Sequence, residues 1–165
     1  MMLKLVLAVL IGLQTSPYSP GDELDDYLEK YLNPLDDALS IEQALILFEH
    51  VYGKTISLPT EIPIAYTKTG AYFNDPPYVL EMEYLDERTN NSLRFDVYLK
   101  DDGMGFLDSG EKVALGDGLY GMFDLRGERK FLTYEKDELV YMIGIYTNSP
   151  LDYKQELVNV YRSQQ

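Results

Sequence analysis

Apolar residues recur along this chain with two different periods, and the switch between them falls near Thr55. Before it the spacing is helical. Leu24, Leu28, Tyr31 and Leu32 mark one face of a segment that opens behind Asp22, with Asp25 and Asp26 in its first turn, where the positive end of the helix dipole favours carboxylates. Pro34 ends it. Ser40 with Gln43 three residues on is a capping box, and Ala44, Leu45, Leu47, Phe48 and Val51 then form the apolar stripe of a second helix, which Gly53 stops.

After Thr55 the period falls to 2. Ile56, Leu58, Ile62 and Ile64 are interrupted by Pro59 and Pro63, which predicts an edge strand or an extended crossing segment. Tyr78, Leu80, Met82 and Tyr84 alternate with Glu81 and Glu83, and Leu93, Phe95, Val97 and Leu99 alternate with Arg94, Asp96 and Lys100. Such alternation predicts half-buried antiparallel strands, here joined by the polar loop Asp86–Ser92. Further strands are predicted near 111–115, 119–125, 129–135 and 138–146, with turns at Asp102-Gly103, Asp117-Gly118, Arg126-Gly127 and Lys136-Asp137. A third helix is predicted with Ser149 as its cap, Pro150 at its first position, and Leu151, Leu157, Val158 and Tyr161 on its apolar side. The fold class expected is α+β: an antiparallel meander sheet with two N-terminal helices and one C-terminal helix packed on one face.

Residues 1–19 do not fit that scheme. Lys4, an apolar run from Leu5 to Leu13, and a small-residue exit at Thr15, Ser16 and Ser19 read as a secretory signal peptide, too short for a bilayer, which needs about 20 residues. The expected organisation is therefore a leader over 1–19 and a single α+β domain over 20–165, secreted or extracytoplasmic, with no stable membrane insertion after processing.

Composition narrows the chemistry. A net charge of −14 repels phosphate backbones, so nucleic acid is not an expected partner. No cysteine is present, which removes disulfides, thiol catalysis and thiolate metal sites. His50, the single histidine, sits late in the second helix, where its expected partners are the helix dipole or a neighbouring carboxylate. No serine stands in a Gly-x-Ser-x-Gly elbow, and Gly103-Met104-Gly105 and Gly116-Asp117-Gly118 lack the lysine and following helix of a phosphate loop. No catalytic residue is assigned and no cofactor is expected.

Two groups of residues remain as site candidates. Asp101, Asp102, Asp108 and Glu111 offer carboxylates for a calcium-dependent module or, in a pair, for a hydrolase, although their spacing departs from the calcium-loop pattern. The tyrosines, 15 in all, fall largely on strand positions; Tyr78, Tyr84, Tyr98, Tyr120, Tyr134, Tyr141 and Tyr146 would line a ligand-binding face if several project to one side. Of these, Tyr78, Tyr84, Tyr120, Tyr134 and Tyr141 are the binding candidates. Asn90-Asn91-Ser92 matches the glycosylation sequon of eukaryotic secretion.

Two stretches also carry a family likeness. One runs from His50-Val51-Tyr52-Gly53 through Ile56-Ser57-Leu58-Pro59-Thr60-Glu61-Ile62-Pro63 into the strand Tyr78–Tyr84. The other runs from Glu111 to Gly121, then from Phe131 to Tyr141, and into the closing helix. Over residues 40–163 the chain resembles a domain-of-unknown-function family of small exported proteins of spore-forming Gram-positive bacteria, which also forms the extracytoplasmic end of some anti-sigma factors. Tyr134 stands where that family often has Trp, Ile62 where it has Leu, and Ile64-Ala65-Tyr66 where it has glycine and tyrosine. The resemblance implies no catalytic residues. It implies a non-enzymatic binding or interaction domain for a protein, peptide or small envelope ligand, in envelope signalling.

Overall fold

The computed structural model describes residues 38–73, 79–100, 110–148 and 150–164. The expected leader over 1–19 and the helix expected over 22–32 lie outside the described residues. So do Tyr78, Asp101, Asp102 and Asp108.

Helix α1, Ile41–Tyr52, is capped as its sequence requires. Ser40 Oγ accepts from the Gln43 N–H at 3.2 Å while Gln43 Oε1 accepts from the Ser40 N–H at 3.1 Å. Gly53, at φ 63°, closes the far end, where a side chain would be strained, and its N–H bonds Glu49 O at 2.8 Å. The proline-bearing stretch that follows pairs with no strand among the described residues. It crosses to the C-terminus, where the Thr60 N–H and hydroxyl both donate to Ser163 O, at 3.3 and 2.9 Å. Of the two readings of residues 56–64, the crossing segment is the one observed.

Seven antiparallel strands follow: β1 Lys68–Phe73, β2 Leu80–Asp86, β3 Asn91–Leu99, β4 Glu111–Gly116, β5 Leu119–Arg126, β6 Arg129–Lys136 and β7 Leu139–Tyr146. Helix α2, Tyr153–Arg162, closes the described chain. Its start differs from the expected one. Asp152, not Ser149, is the cap, because its carboxylate accepts the Gln155 N–H at 3.2 Å.

The sheet is not a plain meander. Its order is β1-β2-β3-β7-β6-β5-β4, so β3 pairs with the last strand and the next strand in sequence lies at the far edge. The burial of the two strands explains the exchange. β3 and β7 carry buried residues on both faces and so take the centre, where a strand is covered from both sides. β4, with Glu111, Lys112 and Gly116 exposed, tolerates the edge, where charge guards against further pairing.

Both helices pack on the same face. α1 lies over β1 and β2, and α2 over β4, β6 and β7. Leu47 and Phe48 from α1, Leu157, Val160 and Tyr161 from α2, and Leu80, Phe95, Val97, Leu132 and Ile143 from the sheet form one continuous core. Its aromatic centre is Tyr134, stacked on Tyr141 at 5.1 Å and edge-on to Tyr161 at 4.9 Å. The Tyr134 hydroxyl donates to Gln164 Oε1, and Gln164 Nε2 in turn holds Ser57 O at 2.8 Å.

Candidate functional site

Of the tyrosines expected on a binding face, the described Tyr84, Tyr120, Tyr134 and Tyr141 do not lie on one face. Tyr84, Tyr134 and Tyr141 point towards the helices and are buried, with exposures of 7%, 1% and 3%. Burial accordingly pushes the Tyr141 phenol up to about 12 and that of Tyr134 well above its ordinary value. Tyr120 projects from the opposite face, exposed, with the Lys112 ammonium over its ring at 4.2 Å. Alternation was read correctly; which of its two phases met the helices was not visible in it. Glu111 begins β4 and is held by Lys154 of α2 at 2.6 Å. Among the described residues no group of three or more His, Asp or Glu is placed to hold a metal ion. His50 stands exposed in the last turn of α1.

The face turned away from the helices carries the polar chemistry. Strand register lays its residues in rows. One row runs Glu83, Arg94, Gly144, Phe131, Asp124 across β2, β3, β7, β6 and β5. Gly144 is required there because a Cβ would sit 2.5 Å from the Phe131 ring, which lies across it. The next row towards the centre holds Glu81, Asp96, Met142 and Thr133.

Arg94 joins these rows. Its Nε donates to both Asp96 oxygens, at 2.7 and 2.9 Å, and its Nη2 lies 2.7 Å from Glu81 Oε2. Asp96 is fully buried, and burial drives its carboxyl up to about 6 despite the opposing pull of the Arg94 hydrogen bond and charge. For Arg94, burial works against the cation, but the Asp96 bond and the charges of Asp96, Glu81 and Glu83 outweigh it and hold the guanidinium above its ordinary value. One cation thus serves three carboxylates, and Asp96 is the one denied water.

Beyond this cluster, at the end of the sheet carrying the β2–β3 and β5–β6 turns, a groove of about 480 Å³ opens. Glu83, Leu85, Asn90, Ser92, Tyr146, Arg126, Glu128 and Arg129 line it. The β2–β3 turn is built by Asp86, whose carboxylate accepts the Arg88 N–H at 3.0 Å and the Thr89 hydroxyl at 2.7 Å. That clamp sets Asn90 at φ 58° on the rim, a conformation asparagine tolerates. The β5–β6 turn places Arg126 directly opposite Arg129. Arg126 is fully engaged: its Nε donates to Asp124 Oδ2 at 3.0 Å and its guanidinium lies 5.1 Å from the Phe131 ring centre. The other Asp124 oxygen is buried without a partner among the described residues.

Sequence reasoning passed over Glu83, Arg126 and Arg129. A signal for the arginines was present: Gly127-Glu128 as a two-residue turn sets Arg126 opposite Arg129. Comparison with known proteins adds nothing to the geometry: no family model matches the chain, and neither curated proteins nor solved structures show a match.

Proposed function

We propose that this protein is a non-enzymatic, extracytoplasmic ligand-binding domain and that the groove between the β2–β3 and β5–β6 turns is its binding site. The observation that carries the reading is the groove itself. It is large enough for a short ligand, it lies on the face that α1 and α2 leave uncovered, and its walls come from five strands and two turns of the sheet. Its lining offers hydroxyl, amide and charged groups for hydrogen bonds and ion pairs, which supports binding. Export is supported by Lys4 and the apolar run that follows it, and a role in the cell envelope by the likeness to exported Gram-positive proteins. Among the described residues no helix is long and apolar enough to cross a membrane.

A panel of short peptides titrated into isotope-labelled protein tests the site. Backbone amide shifts should cluster at Leu85, Ser92, Arg129 and Tyr146, and the peptides should be recovered unchanged. Shifts confined to the helix side of the sheet would rule out this groove, and conversion of any peptide would rule out a purely binding role.

A further inference from the structure

Resting on that reading of the groove, we infer that its ligand is a short peptide about four to five residues long with both termini free. Its carboxylate sits on Arg129 and its ammonium group on Glu83.

Three observations converge on this. First, Arg129 faces Arg126 directly across the hairpin, and like charges so placed repel. Asp124 compensates Arg126. Among the described residues no carboxylate lies within ion-pair distance of Arg129. Asp96, the carboxylate that feels its charge, already gives both oxygens to Arg94. The half-buried Arg129 guanidinium therefore offers its planar fork of donors to the groove, the geometry that matches a carboxylate.

Second, Glu83 at the other end of the groove makes no ion pair among the described residues either; Arg94 acts on it only through its charge. Asn90, Ser92 and Tyr146 between them make no side-chain hydrogen bonds within the described structure, leaving an amide and two hydroxyls for peptide groups. The site is thus polarised, an acceptor on β2 and a donor on β6, with neutral hydrogen-bonding groups between.

Third, the spacing sets the length. Glu83 and Arg129 lie three strand steps apart, roughly 14 Å at ~4.8 Å each, and two residues, roughly 7 Å, apart along the strands, so roughly 16 Å separates them. An extended peptide covers about 3.3–3.6 Å per residue, so about four to five residues span the gap. The charges also select the anion. With Asp124 on Arg126 and Glu128 on the rim, Arg129 is the groove's one uncompensated cation among the described residues, in a protein of net charge −14, so a singly charged carboxylate fits it better than a phosphate dianion.

The test uses tetra-alanine, its N-acetyl form, its C-terminal amide, acetate and inorganic phosphate, titrated against the full chain by calorimetry and amide shifts. Tetra-alanine should bind with each cap weakening it at least tenfold. Arg129→Met should abolish discrimination between acid and amide while leaving discrimination between amine and acetyl, and Glu83→Gln should do the converse. Arg129→Lys, which keeps the charge but not the fork, should recover part of the acid preference, and unchanged melting temperatures show that the variants fold. If capped and uncapped peptides bind the groove alike, the terminal-charge assignment is wrong although the groove reading stands. If no peptide moves the groove amides, both fall. Phosphate displacing tetra-alanine at lower concentration than acetate would overturn the carboxylate assignment.

Discussion

Replacing Arg94 by Met should destabilise the protein far more than replacing Asp96 by Asn, and by an amount that depends on pH. Arg94→Met leaves the fully buried Asp96 carboxylate beside Glu81 with its bidentate partner gone. An uncompensated buried charge of that kind costs about 3–5 kcal/mol. Asp96→Asn is gentler, because Arg94 keeps Glu81 at 2.7 Å and an amide replaces a carboxylate that burial disfavours; a change within about 1 kcal/mol is expected. Acid should separate the two. The Asp96 carboxyl is held up at about 6, above the ~3.9 of an unfolded chain, so the folded state binds the proton more tightly. Stability from this group is complete below ~pH 4 and is lost as pH rises through about 6. In Arg94→Met the carboxyl titrates higher still, so at pH 5 it is protonated and the deficit should shrink to less than half its value at pH 7.5. Urea unfolding followed by far-ultraviolet circular dichroism at both pH values measures this, and comparing variants at each pH cancels the other carboxylates. A deficit equal at pH 5 and 7.5, or an Asp96→Asn loss exceeding that of Arg94→Met, would refute the reasoning.

Two further outcomes are expected. Gly144→Ala places a methyl group 2.5 Å from Phe131 Cε1 and should cost about 1–3 kcal/mol; the added variant Phe131→Leu, which removes the ring, should restore most of that loss in a thermal melt. Tyr134→Phe leaves Gln164 Oε1 buried without its donor and should lower stability by about 1–2 kcal/mol, while Tyr120→Phe, on an exposed ring, should change it by less than about 0.5 kcal/mol in the same urea titration.

The sequence displayed most of the elements and little of their assembly. Ser40, Gln43 and Gly53 bound α1 because capping is a local matter, decided by groups within a few residues. β2 and β3 stood out because their apolar residues alternate with charged ones, and the later strands because the turns between them carry residues that accept positive φ, such as Asp117 at 49° and Gly118 at 79°. β1 was missed because Lys68-Thr69-Gly70-Ala71 has no apolar alternation; it becomes a strand by pairing with β2. The central place of β3 and β7 depends on comparing burial between distant segments, which no local window contains. The site suffered most. The groove is made by Glu83 and Arg129, residues on strands two removed from one another's neighbours, and only the finished register brings them to one face. The tyrosines drew the eye in sequence because they are numerous, whereas three of the binding candidates, Tyr84, Tyr134 and Tyr141, serve the core.

The strand order also dictates a timetable for self-assembly. β1 to β3 and β4 to β7 are each consecutive hairpins, able to zip up from short loops within microseconds to milliseconds. Joining the halves requires Phe95 to find Ile143, far along the chain, and the loop-closure entropy must be met before that pairing returns anything. Until the seam closes, the two most buried strands are raw edges, so a nascent chain is most vulnerable to self-association at that stage.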